Sequence, residues 1–230
     1  MASARRQAFA DGLKAVAPMV AAIVPFGVTA GVAGLDAGLG AALTLGMSVI
    51  VFAGASQLAS IQLIDAGAAA PLVVITALII NLRMVMYSAH LAPHFGHVSP
   101  GQRSLMAYIL TDQAYALTIS RVMTHGNDPQ AHWFYFGVAL PLWGVWQIAT
   151  AFGYWAGTAM PPSWELGFIV PLIFLALLMM AINSRAGVAA ATVAGTLSVL
   201  GQALPAGLGL TLASLAGIAA GVMMEGRRDG

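Results

Sequence analysis

The sequence contains no cysteine, and among its 230 residues only nine are Lys or Arg and eight Asp or Glu. The first absence excludes disulfides and thiolate metal sites. The second excludes an ordinary soluble domain, where about a quarter of residues are charged; here 7% are charged and 60% hydrophobic. A formal net charge of +1 gives no excess that points to nucleic acid. There is no G-x-x-x-x-G-K-[ST] phosphate loop, so ATP-driven work would need another chain. Regular apolar-polar alternation is also missing, which argues against a β-barrel. What is present is a mean hydropathy of +0.87, the composition of an all-α integral membrane protein.

A helix rises about 1.5 Å per residue and the hydrocarbon core is about 30 Å thick, so a span needs about 20 mainly apolar residues. About eight candidates are found, near 15–34, 40–64, 69–91, 104–122, 133–157, 164–182, 186–201 and 205–224. Residues 15–224 then form one transmembrane domain between short cytoplasmic ends, 1–14 and 225–230. The segment MASARRQAFADGLK is basic, but it leads into a long Gly- and Pro-containing apolar stretch rather than a short one with a cleavage site, and reads as a retained end. With eight spans, Arg5, Arg6, Lys14, Arg121, Arg185, Arg227 and Arg228 fall on the cytoplasmic side and only Arg103 outside, the bias expected of short loops. A re-entrant segment would change that count.

Two short segments match, as a faint internal repeat or as a coincidence in a chain rich in Ala and Gly. Phe26-Gly27-Val28-Thr29-Ala30-Gly31 and Phe152-Gly153-Tyr154-Trp155-Ala156-Gly157 both read F-G-x-x-A-G, and the same offset places Gln57 against Asn183. It divides the domain into halves 15–122 and 133–224, a common transporter construction. Eight spans make the halves parallel, and a half-helix in place of a span makes them inverted.

The informative residues are polar ones at depth, because an ionisable group in hydrocarbon costs several kcal/mol unless it is paired or faces a cavity. By helical rise Gly54 and Ser56 lie roughly 15 and 12 Å from the inner end of the second span, Asn81 and Arg83 roughly 18 and 21 Å from that of the third, and Asp112 about 12 Å from the outer end of the fourth. All sit near the midplane. Within VFAGASQLAS, residues 51–60, Gly54, Ala55, Ser56 and Gln57 form either a packing notch or an opened stretch of backbone facing a cavity. Pro25, which has no N–H, and Gly27 break the first span at the same level, or Pro25 merely kinks it. Arg83 pairs with Asp112, binds an anionic group, or snorkels; Asp112 is its partner or a proton carrier. Arg83, Tyr87 and His90 share a helix face. The candidate substrate-binding set is therefore Gly54, Ala55, Ser56, Gln57, Asn81, Arg83 and Asp112, with no cofactor or metal expected.

A membrane-embedded enzyme is the competing class. Gly54-Ala55-Ser56 has the form of a serine nucleophile motif, but His90 lies about 20 Å away in depth by helical rise. His90 and His94 stand at i, i+4, a zinc-chelating spacing, yet Pro93 should break the helix between them. Trp133, Trp143, Trp146 and Trp155 of the fifth span read as an interface belt or lipid-facing surface.

The motifs VFAGASQLAS, NLRMVMYSAHLAPHF from Asn81 to Phe95, TDQAYAL from Thr111 to Leu117, and the earlier VPFGVTAG together resemble the AzlC family, large subunits of branched-chain amino acid exporters. Met84, where that family often has His, and Gln113, where an acid is common, depart from its pattern. The resemblance implies export of valine, leucine, isoleucine or similar amino acids with a small hydrophobic partner subunit of the AzlD type. A gradient-driven secondary transporter, coupled to protons, is the expectation.

Overall fold

The computed structural model describes residues 2–126, 128–159, 175, 182, 184–201 and 208–226. Every regular element among them is helical: α1 (Ala2–Asp36), α2 (Ala41–Ile50), α3 (Gly54–Asp65), α4 (Ala70–Leu91) running into a 3-10 turn (Ala92–Phe95), α5 (Pro100–Tyr108), α6 (Asp112–His125), α7 (Ala131–Ala159), α8 (Arg185–Leu200) and α9 (Leu208–Gly226). Three apolar stretches among the described residues, Ser3–Asp36, Ala70–Phe95 and Ala131–Ala159, are long enough to cross a membrane. Asn183 and all of the proposed sixth span except residues 175 and 182 lie outside the described residues.

The central feature is the pairing of α1 with α7. Gly12 lies against Phe134 and Gly137, Gly137 against Phe9, Gly31 against Thr150, Gly153 and Tyr154, and Gly153 against Val28. These pairs advance together along both helices, so α1 and α7 are parallel. Where side chains are absent the backbones touch, and small residues are what permits that approach in a membrane. The two F-G-x-x-A-G copies are therefore packing partners in these two helices. Pro18 and Pro25 both lie inside α1, and the helix continues through them. The expected break at Pro25 and Gly27 is not found: Thr29 Oγ1 donates to the Pro25 carbonyl at 2.8 Å, and at Gly27 a Cβ would come within 2.7 Å of the Ala149 Cβ, so α7 holds α1 through the weak point.

The second and fourth expected spans are not crossings. Gln57 Nε2 reaches the Thr44 carbonyl at 3.5 Å, although thirteen residues of straight helix would separate them by about 20 Å. The chain turns at Val51–Ala53, where Phe52 has φ 37°, and α3 climbs back until Asp65 comes close enough to Asp36 for the two carboxylates to repel. α1 and α3 also end alike. Gly38 and Gly67 have φ of 69° and 72°, and each end closes with the bond pair Leu39 N to Gly34 O and Gly38 N to Leu35 O, or Ala68 N to Leu63 O and Gly67 N to Ile64 O. Asp-Ala-Gly thus forms the same turn twice on one face.

α4 crosses from that face, and Pro93 ends it as expected by tightening the chain into the 3-10 turn. Ser99 caps α5 by accepting from Gln102 N. α5 climbs to the level where Tyr135 Oη donates to the Met106 carbonyl at 2.6 Å and Tyr108 Oη to the Val49 carbonyl at 2.7 Å. Thr111 caps α6, which returns to put Arg121 3.7 Å from Asp11 near the start of α1. There Arg121 also binds Asp128 at 2.8 Å. Burial alone would push the Asp128 carboxyl up; the Gln130 N–H and the Arg121 guanidinium outweigh it and hold the carboxyl below the usual range.

α1–α3 and α4–α6 are thus two inverted units, each a crossing helix followed by a hairpin that re-enters from the face the helix has reached. Arg103, expected opposite Arg5 and Arg6, lies toward the same face as Arg5, Arg6, Lys14 and Arg121. We call this the basic face. The opposite, acidic face carries Asp36 and Asp65, and its loops 37–40 and 66–69 have no Lys or Arg. α8 and α9 form an antiparallel pair, with Gly217 against Ala190 and Ala194 and Gly201 against Gly209.

Because the chain has no cysteine, single cysteines report topology directly. Asp36→Cys and Ala69→Cys should label with an impermeant maleimide from one side of the membrane, Ser99→Cys and His125→Cys from the other; labelling of positions 36 and 69 from opposite sides would refute the hairpins. Gly31→Leu should destabilise the purified protein by about 1–3 kcal/mol through the α1–α7 contact, read as a lowered unfolding midpoint.

Candidate functional site

The two hairpin tips meet between α1, α4 and α7 around a cavity of about 570 Å³, within the roughly 300–1,000 Å³ of small-molecule sites. Its polar groups are Arg83 from α4 and Thr111, Asp112 and Gln113 from the tip of α5–α6; Gly54 and Ala55 bring the start of α3, and Ile23, Phe26, Met84, Leu142 and Trp146 form an apolar wall.

The opposite charges meet: Arg83 Nη1 lies 2.7 Å from Asp112 Oδ2, the side chains retaining 32% and 40% of their surface. Each is only half used. Arg83 Nε and Asp112 Oδ1 are buried without partners. Asp112 also stands in the first turn of α6, where a carboxylate complements the positive end of the helix. α3 has no acid in its first turn.

The candidate residues separate into two layers. Gly54, Ala55, Arg83 and Asp112 line the cavity. Ser56 and Gln57 are fully buried and stitch the elements behind it. Ser56 Oγ donates to the Ala53 carbonyl at 3.0 Å and accepts from Asn81 Nδ2 at 3.0 Å, which fixes α3 to α4. Gln57 ties α3 to α2. Gly54–Gln57 is therefore not itself opened: the break is Val51–Ala53, and Gly54 begins a helix. What the tip presents to the cavity is N–H groups rather than carbonyls.

Below the ion pair, toward the basic face, Tyr87 stacks on Tyr115 with centroids 4.2 Å apart, and the Tyr115 hydroxyl lies 2.7 Å from His90 Nδ1. The strip of Arg83, Tyr87 and His90 thus leads to the basic face, because α4 runs opposite to the direction that eight spans required. The enzyme constellations do not assemble. His90 is engaged with Tyr115, whereas His94 lines a separate cavity of about 340 Å³ with His97 and Asp128. Among the described residues no three His, Asp or Glu gather as metal ligands.

Trp146 departs from the lipid-facing role expected of the fifth span. It is only 5% exposed and meets Phe26 edge-on at 5.4 Å. Trp155, 55% exposed, fits the expectation, and Trp133 carries Arg5 over its ring at 5.6 Å. The helical rise that flagged Arg83 puts Trp146 about 20 Å into its span, so depth alone was the signal for it. Met84 and Gln113, the two departures from the family pattern, both line the cavity.

Asn81→Leu should cost about 1–2 kcal/mol, since it removes the hydrogen bond that the buried Ser56 hydroxyl accepts; an unchanged unfolding midpoint would show that the α3–α4 stitch carries no weight.

Residues 18–160, more than half of the chain, match the family model described as AzlC protein. The chain is 24% identical over 223 residues to the "Inner membrane protein YgaZ" of Escherichia coli K12, covering 94% of this chain and 88% of that protein. An "Uncharacterized membrane protein" of Archaeoglobus fulgidus is 28% identical over 218 residues, 91% and 92% of the two chains. A further membrane protein so described, from Helicobacter pylori 26695, is 25% identical over 174 residues, 75% of each chain. No solved structure matches. The chain is a membrane protein and belongs to the AzlC family.

Proposed function

We propose that this protein is the large subunit of a secondary transporter that exports branched-chain or similar aliphatic amino acids. The observation that carries this reading is the Arg83–Asp112 pair, set in a cavity otherwise walled by Ile, Leu, Met, Phe and Trp. A zwitterion with an aliphatic side chain needs one cation, one anion and an apolar surround, and that combination is present. Opposed re-entrant hairpins meeting at the midplane agree with it, since backbone breaks at depth are tolerated where they line a cavity and are a recurring construction of transporters.

The basic face, with Arg5, Arg6, Lys14, Arg103 and Arg121, is the cytoplasmic one by the bias of short loops, so the N-terminus is cytoplasmic. Substrate enters from there and leaves at the acidic face. The proton gradient drives the cycle, with Asp112 as the carrier once it parts from Arg83. Ile75, Leu78, Leu82, Val85 and Met86 of α4 are 53–66% exposed; this row is where lipid or a small AzlD-like partner packs.

In proteoliposomes containing both subunits, Arg83→Ala and Asp112→Asn should each abolish leucine counterflow while the protein remains inserted, and normal counterflow in both would remove the proposed site. Collapsing the proton gradient should stop uphill export without stopping exchange. Ser56→Ala separates the enzyme reading: a hydrolase loses turnover, whereas the transporter changes mainly in affinity.

A further inference from the structure

We propose that the substrate carboxylate binds the start of α3, between the N–H groups of Gly54 and Ala55 and the guanidinium of Arg83, and takes Arg83 from Asp112 in doing so. The proposal rests on the amino-acid reading above and gives the bound molecule a direction.

The two hairpin tips are equivalent places in the inverted arrangement, yet they are furnished differently. α6 begins with Asp112, so its positive end already holds a carboxylate. α3 begins Gly54-Ala55-Ser56 without an acid, and its bonding starts only at Gln57 N to the Ala53 carbonyl, which leaves three N–H groups ahead of the first bond. Only glycine fits at that start, because the aromatic pair packs directly on it: a Cβ at Gly54 would stand 2.6 Å from Trp146 Cη2 and 2.7 Å from Phe26 Cε1. Trp146 adds an independent sign of a missing ligand. It is 95% buried (5% exposed) and lines this cavity, and its indole Nε1 has no acceptor.

Arg83 completes the subsite. It spends Nη1 on Asp112 while Nε has no acceptor. A carboxylate held by two parallel guanidinium bonds is bound more strongly than by one, and the α3 terminus adds to it, so the substrate carboxylate outcompetes the single Asp112 contact. Asp112, with Oδ1 already lacking a donor, is then released toward the ammonium group. Because Asp112 is the tip of α5–α6 and Arg83 belongs to α4, the exchange unties that hairpin from the crossing helix.

Ala55 lines the cavity beside Gly54, and an acid introduced there acts as a tethered occupant. Binding to the purified protein in nanodiscs is measured by calorimetry with leucine, 4-methylpentanoate, which lacks the ammonium, and 3-methylbutylamine, which lacks the carboxylate. Ala55→Asp should weaken leucine binding more than about tenfold without lowering the unfolding midpoint, because an acid in the first helical turn is favourable, and Ala55→Asn, of the same size but uncharged, should weaken it less than Ala55→Asp does. Asp112→Asn removes the competitor and should bind 4-methylpentanoate about fivefold tighter, the worth of a partly exposed ion pair, with no such gain for 3-methylbutylamine. Leucine affinity unchanged in Ala55→Asp, or no tightening of 4-methylpentanoate in Asp112→Asn, overturns the subsite. A wild-type protein that binds no aliphatic amino acid overturns the functional reading instead.

Discussion

A helix broken inside hydrocarbon leaves backbone groups that no water can satisfy, and the placement of every other part of this protein follows from where those groups find partners. The end of α2 is closed from other elements: Tyr108 of the opposite hairpin donates to the Val49 carbonyl at 2.7 Å and Gln147 of α7 to the Ser48 carbonyl at 3.2 Å. Trp143 in turn donates to the Tyr108 hydroxyl at 3.1 Å. One tip is therefore completed by the other, through the Tyr108 bond to the Val49 carbonyl. Of the buried side-chain atoms that remain without partners, Arg83 Nε, Asp112 Oδ1 and Trp146 Nε1 belong to residues that line one cavity.

The same reasoning explains why α1 and α7 touch backbone to backbone. Two tips entering from opposite faces need a rigid surface spanning the whole membrane, and two long parallel helices provide it. Their glycines bring the axes close, which removes the side-chain layer that would otherwise intervene and lets Phe26 and Trp146 project from adjacent helices into the space between the tips. Two prolines within α1 are tolerated because this contact, rather than the helix's own ladder, supports that stretch.

Much of this was legible in the sequence. Low charge and high hydropathy fix the solvent, Pro93 ends α4, and the depth count assembles Arg83 with Asp112 because helical rise is the same in any direction of travel. Direction itself was not legible. Residues 41–65 form an apolar stretch as long as a span, and length does not distinguish a helix that crosses from two that turn back. The turn is made by Phe52 with φ 37°, a conformation a residue of this type rarely adopts and no pattern announces. The repeated Asp-Ala-Gly at 36–38 and 65–67 was the available sign that both ends lie on one face. Reading the 41–65 stretch as a crossing reversed α4, which placed His90 and Arg103 opposite to where they lie. It also left Gly54 as opened backbone, where the structure begins a helix.

The ion pair at the midplane also constrains what kind of molecule can be handled there. Removing a partner from a charge that is partly shielded from water, as Arg83 and Asp112 are at 32% and 40% exposure, costs free energy that the remaining solvent only partly returns. A lone carboxylate that captures Arg83 leaves Asp112 with Tyr87 but no counter-charge, and a lone amine that captures Asp112 leaves Arg83 without one, so each must offset an unbalanced charge. A zwitterion separates the pair and satisfies both members at once. Under the proposed export of amino acids, selection for molecules carrying both charges comes from the penalty on the alternatives rather than from unusually strong attraction, and the apolar wall of Met84, Leu142 and Trp146 discriminates only among side chains. Attraction that is modest for the right molecule is what transport needs, since a site that bound its substrate tightly in one state would have to supply the same free energy again to let it go.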